Sequence, residues 1–178
     1  MPMATGSKVW TLEDLDKLPD DGAKYEIVRG ELLVTPTAGP DHETIVVRLT
    51  RALYRYVESQ RLGVVSARSA VRFDGSHVEP DLEVRAEMRL GYKTWDDAPR
   101  PFLVVEIASR STRRRDREQK RRFYMDFGVA EYWIVDPEQR TITAVRAGMP
   151  DVTARETLVW QPAGATEPLT VDVAAVFQ

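Results

Sequence analysis

"PRPFLVVEIASRSTRRRDREQK", residues 99–120, decides how this chain is to be read. Phe102 to Ala108 is an apolar, β-branched run bounded by Pro101 and Ser109, and such a run predicts a buried central strand. Glu106 interrupts it. A carboxylate buried in ionised form without a partner costs several kcal/mol, so Glu106 must be paired, protonated or bound to metal.

On the C-terminal side the spacing predicts a helix from about Arg115 to Phe127, with Gly128 as its C-cap. At about 100° per residue, Asp116, Lys120, Phe123 and Phe127 fall within about 60° of one another. The two phenylalanines must face the sheet, which turns Lys120 inward with them. On the N-terminal side, "HVEPDLEV" (77–84) sets Asp81 after Pro80 at the mouth of another strand. Asp81 and Glu106 on neighbouring strands can hold Mg²⁺, with Mn²⁺ as a substitute and the Ile107 carbonyl as a further oxygen; this hard cation favours one or two carboxylates with waters and phosphate oxygens. An inward lysine beside such a pair makes a site suited to phosphodiester hydrolysis, with Lys120 orienting the nucleophile or steadying the transition state. Plainer readings stay open. Asp81 can cap a turn, Glu106 can pair with an arginine, and Glu106 and Lys120 can form a structural ion pair.

Further out, "TLEDLDKLP" (11–19) reads as a short helix capped by Thr11 and stopped by Pro19. "KYEIVRGELLVTP" (24–36) reads as a hairpin turning at Arg29-Gly30. Ile45, Val46, Leu49, Ala52, Leu53 and Val57 recur at helical spacing between Pro40 and Gln60. Strands are expected at "VVSARSAVRF", "DLEVRA", "FLVVEIA", "EYWIVD", "TITAVR" and "ETLVW". The class is α/β or α+β, a single mixed sheet flanked by helices. The chain of 178 residues reads as one domain, with a core at about 10–146 and a C-terminal β extension at 147–178.

Composition narrows the function classes. With no cysteine there is no disulfide scaffold or thiolate metal site, and a reducing cytoplasm is the expected location. No uncharged run reaches membrane-span length. His42 and His77 have no zinc-motif spacing, and no nucleophile-elbow sequence supports a serine hydrolase. The net charge of −3 means that a nucleic acid must meet a local basic patch. Residues 110–122 supply seven arginines and one lysine against Asp116 and Glu118. Among them Arg113, Arg114, Arg117 and Arg121 are candidates for a DNA backbone, or else form a solvated face. Trp10, Trp95, Trp133 and Trp160 are scattered, and Trp133 is expected in the core.

"YEIVRGELLVTPTAGPDHETIVVRL" (25–49), "EPDLEV" (79–84) and "PFLVVEIASRSTRRRDREQKRRFYMDFGVAEYWIVDP" (101–137) together resemble the Uma2 family of bacterial proteins, described as restriction endonucleases of the PD-(D/E)XK fold. The resemblance implies a restriction-endonuclease-like fold, with Pro80-Asp81 as the "PD" and Glu106 as the "(D/E)". The lysine expected two residues later is absent, because position 108 is Ala, and Lys120 on the following helix matches in its place. Glu26 matches a further acidic position of the metal site, while His42 lies in a family block as an accessory residue or as a locally packed helix-start histidine. The expected function is then a Mg²⁺-dependent DNA endonuclease, working as a homodimer where both strands are cut. A nuclease-fold protein that binds nucleic acid or protein without cutting is the alternative.

Overall fold

The structure, a computed structural model, describes residues 8–109, 114 and 116–178, apart from the side chain of residue 116. The central strand is present as β7 (Pro101–Ile107), in a six-stranded sheet of order β10-β9-β8-β7-β6-β3. Its neighbours are β6 (Leu82–Arg85), antiparallel, and β8 (Glu131–Asp136), parallel, which makes the sheet mixed. A parallel pair needs a crossover, and the crossover here carries the lysine-bearing helix. The remaining members are β3 (Val64–Ala67), β9 (Thr141–Val145) and β10 (Val152–Ala154).

The expectation of a single sheet is corrected. A four-stranded antiparallel sheet holds β1 (Lys24–Val28), β2 (Glu31–Thr35), β4 (Val71–Phe73) and β5 (Ser76–Val78), and a two-stranded one pairs β11 (Thr157–Trp160) with β12 (Leu169–Asp172). The physical cause is visible in "VVSARSAVRF": Arg68 adopts a φ of 53°, which breaks the run into β3 and β4 in different sheets. The Arg29-Gly30 turn joins β1 to β2 as expected, with φ of 51° and 81° at its two central residues.

Alternation along β7 divides the core. Leu103, Val105 and Ile107 face α2 (Pro40–Ser59), which buries Ile45, Leu49, Leu53, Tyr56 and Val57 against them. Leu158, Trp160, Val171, Val173 and Val176 join this cluster, so the C-terminal strands and α4 (Val173–Val176) share it. Val104 and Ala108 face the other way, toward Phe123 and Tyr124 of α3 (Arg121–Phe127) and toward the four-stranded sheet. Trp133 is fully buried, as expected. The short α1 (Leu12–Leu15) begins at Thr11.

The helix expected from Arg115 is corrected in kind. Asp116–Lys120 is a π-helix, and regular α-helix starts only at Arg121. It ends at Gly128, whose φ of 81° is the left-handed conformation of a C-cap glycine. No helix among the described residues is long and apolar enough to cross a membrane.

Candidate active site

Antiparallel pairing of β6 and β7 sets Leu82 opposite Val105, which brings Asp81, just before β6, beside Glu106. Glu106 points toward Lys120 and Tyr124 at the crossover helix, while Asp81 meets His42 at the start of α2. Both are buried, as are Glu26 on β1 and Lys120 at the junction of the π-helix and α3. Asp81, Glu106, Lys120, His42 and Ile107 line one cavity of about 330 Å³, whose lining also takes in the exposed Thr37, Arg68 and Ser109.

Each carboxylate is held by one oxygen. Glu106 Oε1 accepts from Lys120 Nζ at 2.7 Å and from the Tyr124 hydroxyl at 2.7 Å. Asp81 Oδ2 accepts from the Ile107 N–H at 2.7 Å and lies 3.1 Å from His42 Nε2. Glu26 Oε1 accepts from the Glu79 N–H and from Lys120 Nζ, both at 2.9 Å. Lys120 Nζ is also 2.9 Å from Glu26 Oε2, but that buried oxygen accepts no well-formed hydrogen bond among the described residues.

The other oxygens of Asp81 and Glu106 face one point, which Lys24 Nζ occupies. It lies 3.6 Å from Asp81 Oδ1, 3.9 Å from Glu106 Oε2 and 4.0 Å from Glu26 Oε1, and it donates to the Glu79 carbonyl at 2.9 Å.

These surroundings set the acidities. Burial pushes Glu106 up against the opposing pull of Lys120 and Lys24, and leaves it at about 7. Burial also raises Asp81, but the His42 and Ile107 hydrogen bonds and the Lys24 charge outweigh it, and the carboxyl falls to about 2. Glu26 is lowered, because Lys120, Lys24 and the Glu79 N–H outweigh its burial. Burial works against the charged form of His42, yet Asp81 holds its imidazole above the ordinary value. Glu106 and Glu26 share the Lys120 proton donor, so they titrate as a unit.

Of the residues named from the sequence, Asp81, Glu106, Lys120, Glu26, His42 and Ile107 come together here. Ile107 enters through its N–H, which fixes Asp81. Three arginines of the expected patch, the exposed Arg114 and Arg117 and the half-buried Arg121, each hold an acidic partner. Arg114 pairs with Glu118 at 3.2 Å, Arg117 with Asp136 at 3.3 Å, and Arg121 binds Asp151 through two contacts of 2.5 and 2.8 Å. Arg113 and the side chain of Asp116 lie outside the described residues.

Sequence reasoning missed Lys24 and Tyr124. Two-residue alternation along β1 puts Lys24 on the face of Glu26, and four-residue spacing puts Tyr124 over Lys120. Either periodicity, applied to the acidic and basic anchors already chosen, finds them.

Among the described residues no three acidic or histidine side chains stand gathered as a metal cluster. The donor set nevertheless fits a hard divalent cation. Two buried carboxylates present oxygens to one point, Glu26 adds an under-satisfied buried oxygen, and Mg²⁺ needs only one or two protein carboxylates.

Residues 12–174 match the family described as "Uma2: Putative restriction endonuclease". A crystal structure titled "a putative nuclease belonging to DUF820 from Anabaena variabilis ATCC 29413" superposes with a TM-score of 0.76 at 21% identity, covering 94% of this chain and 97% of that one. No protein of curated function matches. At that identity the structural likeness carries the restriction-endonuclease-like fold, and the match along nearly the whole chain carries the kinship: this chain belongs to the Uma2 family.

Proposed function

We propose that the protein is a divalent-metal-dependent endonuclease that hydrolyses phosphodiester bonds in DNA. The observation that carries this reading is the convergence of one oxygen each from Asp81 and Glu106 on a single point in a solvent-open cavity, with their other oxygens locked by neighbours. Asp81 and Glu106 hold the ion, Mg²⁺ or in its place Mn²⁺, with Glu26 and the backbone of Ile107 in support. When bound, the ion activates water and offsets the charge developing on phosphorus.

The protein's own groups prepare that chemistry. Lys120 and Tyr124 fix the Glu106 carboxylate, and the Ile107 N–H and His42 fix Asp81, so neither has to reorganise when substrate arrives. Lys120 also lines the cavity, where its ammonium steadies negative charge on a phosphate. Arg114 and Arg117 lie on the crossover that delivers Lys120 and meet the DNA backbone through sequence-blind contacts, while Arg121 is held by Asp151. Two such sites, in a homodimer, cut both strands. The substrate makes the cytoplasm the working location.

The test is single-turnover cleavage of supercoiled plasmid with Mg²⁺ or Mn²⁺. Wild type should nick and linearise the plasmid, while Asp81→Ala and Glu106→Ala should not. A wild type inert on every DNA offered with either ion, yet still retaining DNA in a gel shift, would establish the non-cutting alternative.

A further inference from the structure

Lys24 has no place in the chemistry above, yet it stands at the centre of the site. Its ammonium is approached by four oxygens: Asp81 Oδ1 at 3.6 Å, Glu106 Oε2 at 3.9 Å, Glu26 Oε1 at 4.0 Å and the Glu79 carbonyl at 2.9 Å. Such a shell of hard oxygens is also what a divalent cation seeks. The two inward oxygens of Asp81 and Glu106 cannot face Lys24 and an ion at one point together, because like charges at contact distance repel strongly in a buried site.

We propose that Lys24 is an internal counter-cation that keeps the metal position filled in the metal-free protein, and that a divalent ion enters only by displacing its ammonium. This rests on the metal-nuclease reading. Two features make the exchange feasible. The Lys24 side chain is 22% exposed, unlike the 5% of Lys120, so it has a way out. The cavity that it lines is also lined by Gly22 and Thr37, both exposed, which gives the withdrawn ammonium room near solvent. Lys120 has no such freedom, since it is buried and fastened to both Glu26 and Glu106. The two lysines therefore divide the work: Lys120 stays, and Lys24 leaves.

Charge supports the division. With His42 neutral, ionised Glu26, Asp81 and Glu106 outnumber the two ammoniums by one. Exchange of the Lys24 ammonium for a divalent ion brings these groups to balance without the loss of Lys120. Specificity follows as well, because a monovalent ion offers no more charge than the lysine that it must evict.

The experiment is calorimetric titration of Mn²⁺ and Mg²⁺ into DNA-free wild type, Lys24→Met and Lys24→Arg, with thermal unfolding of each. Removing a competitor tightens binding, so Lys24→Met should bind the ion about tenfold more tightly or better, within the range usual for coupled sites. Its metal-free melting temperature should fall and its metal-induced rise should grow. Lys24→Arg keeps the charge and should stay near wild type in affinity. A ¹⁵N signal of the Lys24 ammonium in wild type should move on Mg²⁺ addition. If wild type binds the ion and Lys24→Met binds it equally or more weakly, the exchange is wrong while the metal site stands. If no variant binds either ion, the metal reading falls and the exchange with it. Binding by Lys24→Met alone supports the exchange.

Discussion

Glu106 has two oxygens with separate tasks, one tied to Lys120 and Tyr124 and one turned to the cavity. That arrangement has a cost in proton affinity. The ordinary value of 4.5 becomes about 7 in the fold, so in the metal-free protein Glu106 contributes stability that is complete below pH 4.5 and lost as pH rises through 7. Asp81 runs the opposite way: from 3.8 it falls to about 2, and its contribution is complete above 3.8 and lost as pH falls through 2. Metal-free wild type should therefore lose stability between about pH 5 and 7.5, and Glu106→Gln should flatten that window. His42, also raised, adds a loss of the same sign above its ordinary 6.5, so the pair is best compared by urea unfolding in a His42→Gln background. An unchanged slope in Glu106→Gln would place the titration elsewhere. Lys120→Met removes the partner of two buried carboxylates at once. It should destabilise the protein by about 3–5 kcal/mol, as breaking a buried ion pair does. It should also slow plasmid cleavage about 10²- to 10³-fold, with Lys120→Arg recovering part of both. Cleavage at the wild-type rate in Lys120→Met would make the lysine a structural ion-pair partner.

At the scale of elements, the apolar run around Glu106 and the Pro80-Asp81 entry were legible because a buried strand and a proline-set turn announce themselves in composition. The inward aim of Lys120 was legible too, although the periodicity assumed for it was not the one used. Asp116–Lys120 is wound as a π-helix, and nothing in the residue types of "DREQK" marks that winding. β5, β10 and β12 were missed because strands of three or four residues hold too few alternations to register. Lys24 was missed because a lysine at the start of a strand ordinarily faces water. The glycine that ends α3 was legible and has a testable consequence. Gly128 sits at φ 81°, and a Cβ there would come within 2.7 Å of the Arg100 guanidinium. Gly128→Ala should cost about 1–2 kcal/mol from the left-handed backbone alone, read as a lowered melting temperature. Because α3 carries Tyr124 against Glu106, cleavage should fall in parallel at temperatures near that transition. A melting temperature equal to wild type would show that the helix end adapts.

At the scale of the whole molecule, the C-terminal extension touches both the core and the candidate DNA face. Leu158, Trp160 and Val171 help to cover the α2 side of the sheet, so the segment after residue 146 completes a cluster that begins at Ile45. Its opening turn does something else. Asp151 grips Arg121 through two contacts, and so withholds a guanidinium that the sequence alone assigns to DNA. Exposed ion pairs contribute little to stability, since water and salt screen them, so this pair is cheaply broken. A phosphate arriving at Arg121 must compete with the Asp151 carboxylate, and the negative charge of Asp151 repels the backbone besides. Asp151→Ala should therefore leave unfolding within about 0.5 kcal/mol of wild type, as surface substitutions do. It should tighten binding to duplex DNA measured with the catalytically silenced Glu106→Ala protein. The released arginine should steepen the dependence of log K on log salt by about 0.9, the increment for one further phosphate contact. Arg121→Ala should leave the slope where wild type has it, because a guanidinium held by Asp151 contributes no contact to lose. The double substitution should match Arg121→Ala in slope and exceed it in affinity only through the lost repulsion. Equal slopes in wild type and Asp151→Ala would mean that Arg121 faces no phosphate, and the DNA path would then have to run along the cavity mouth at Arg68.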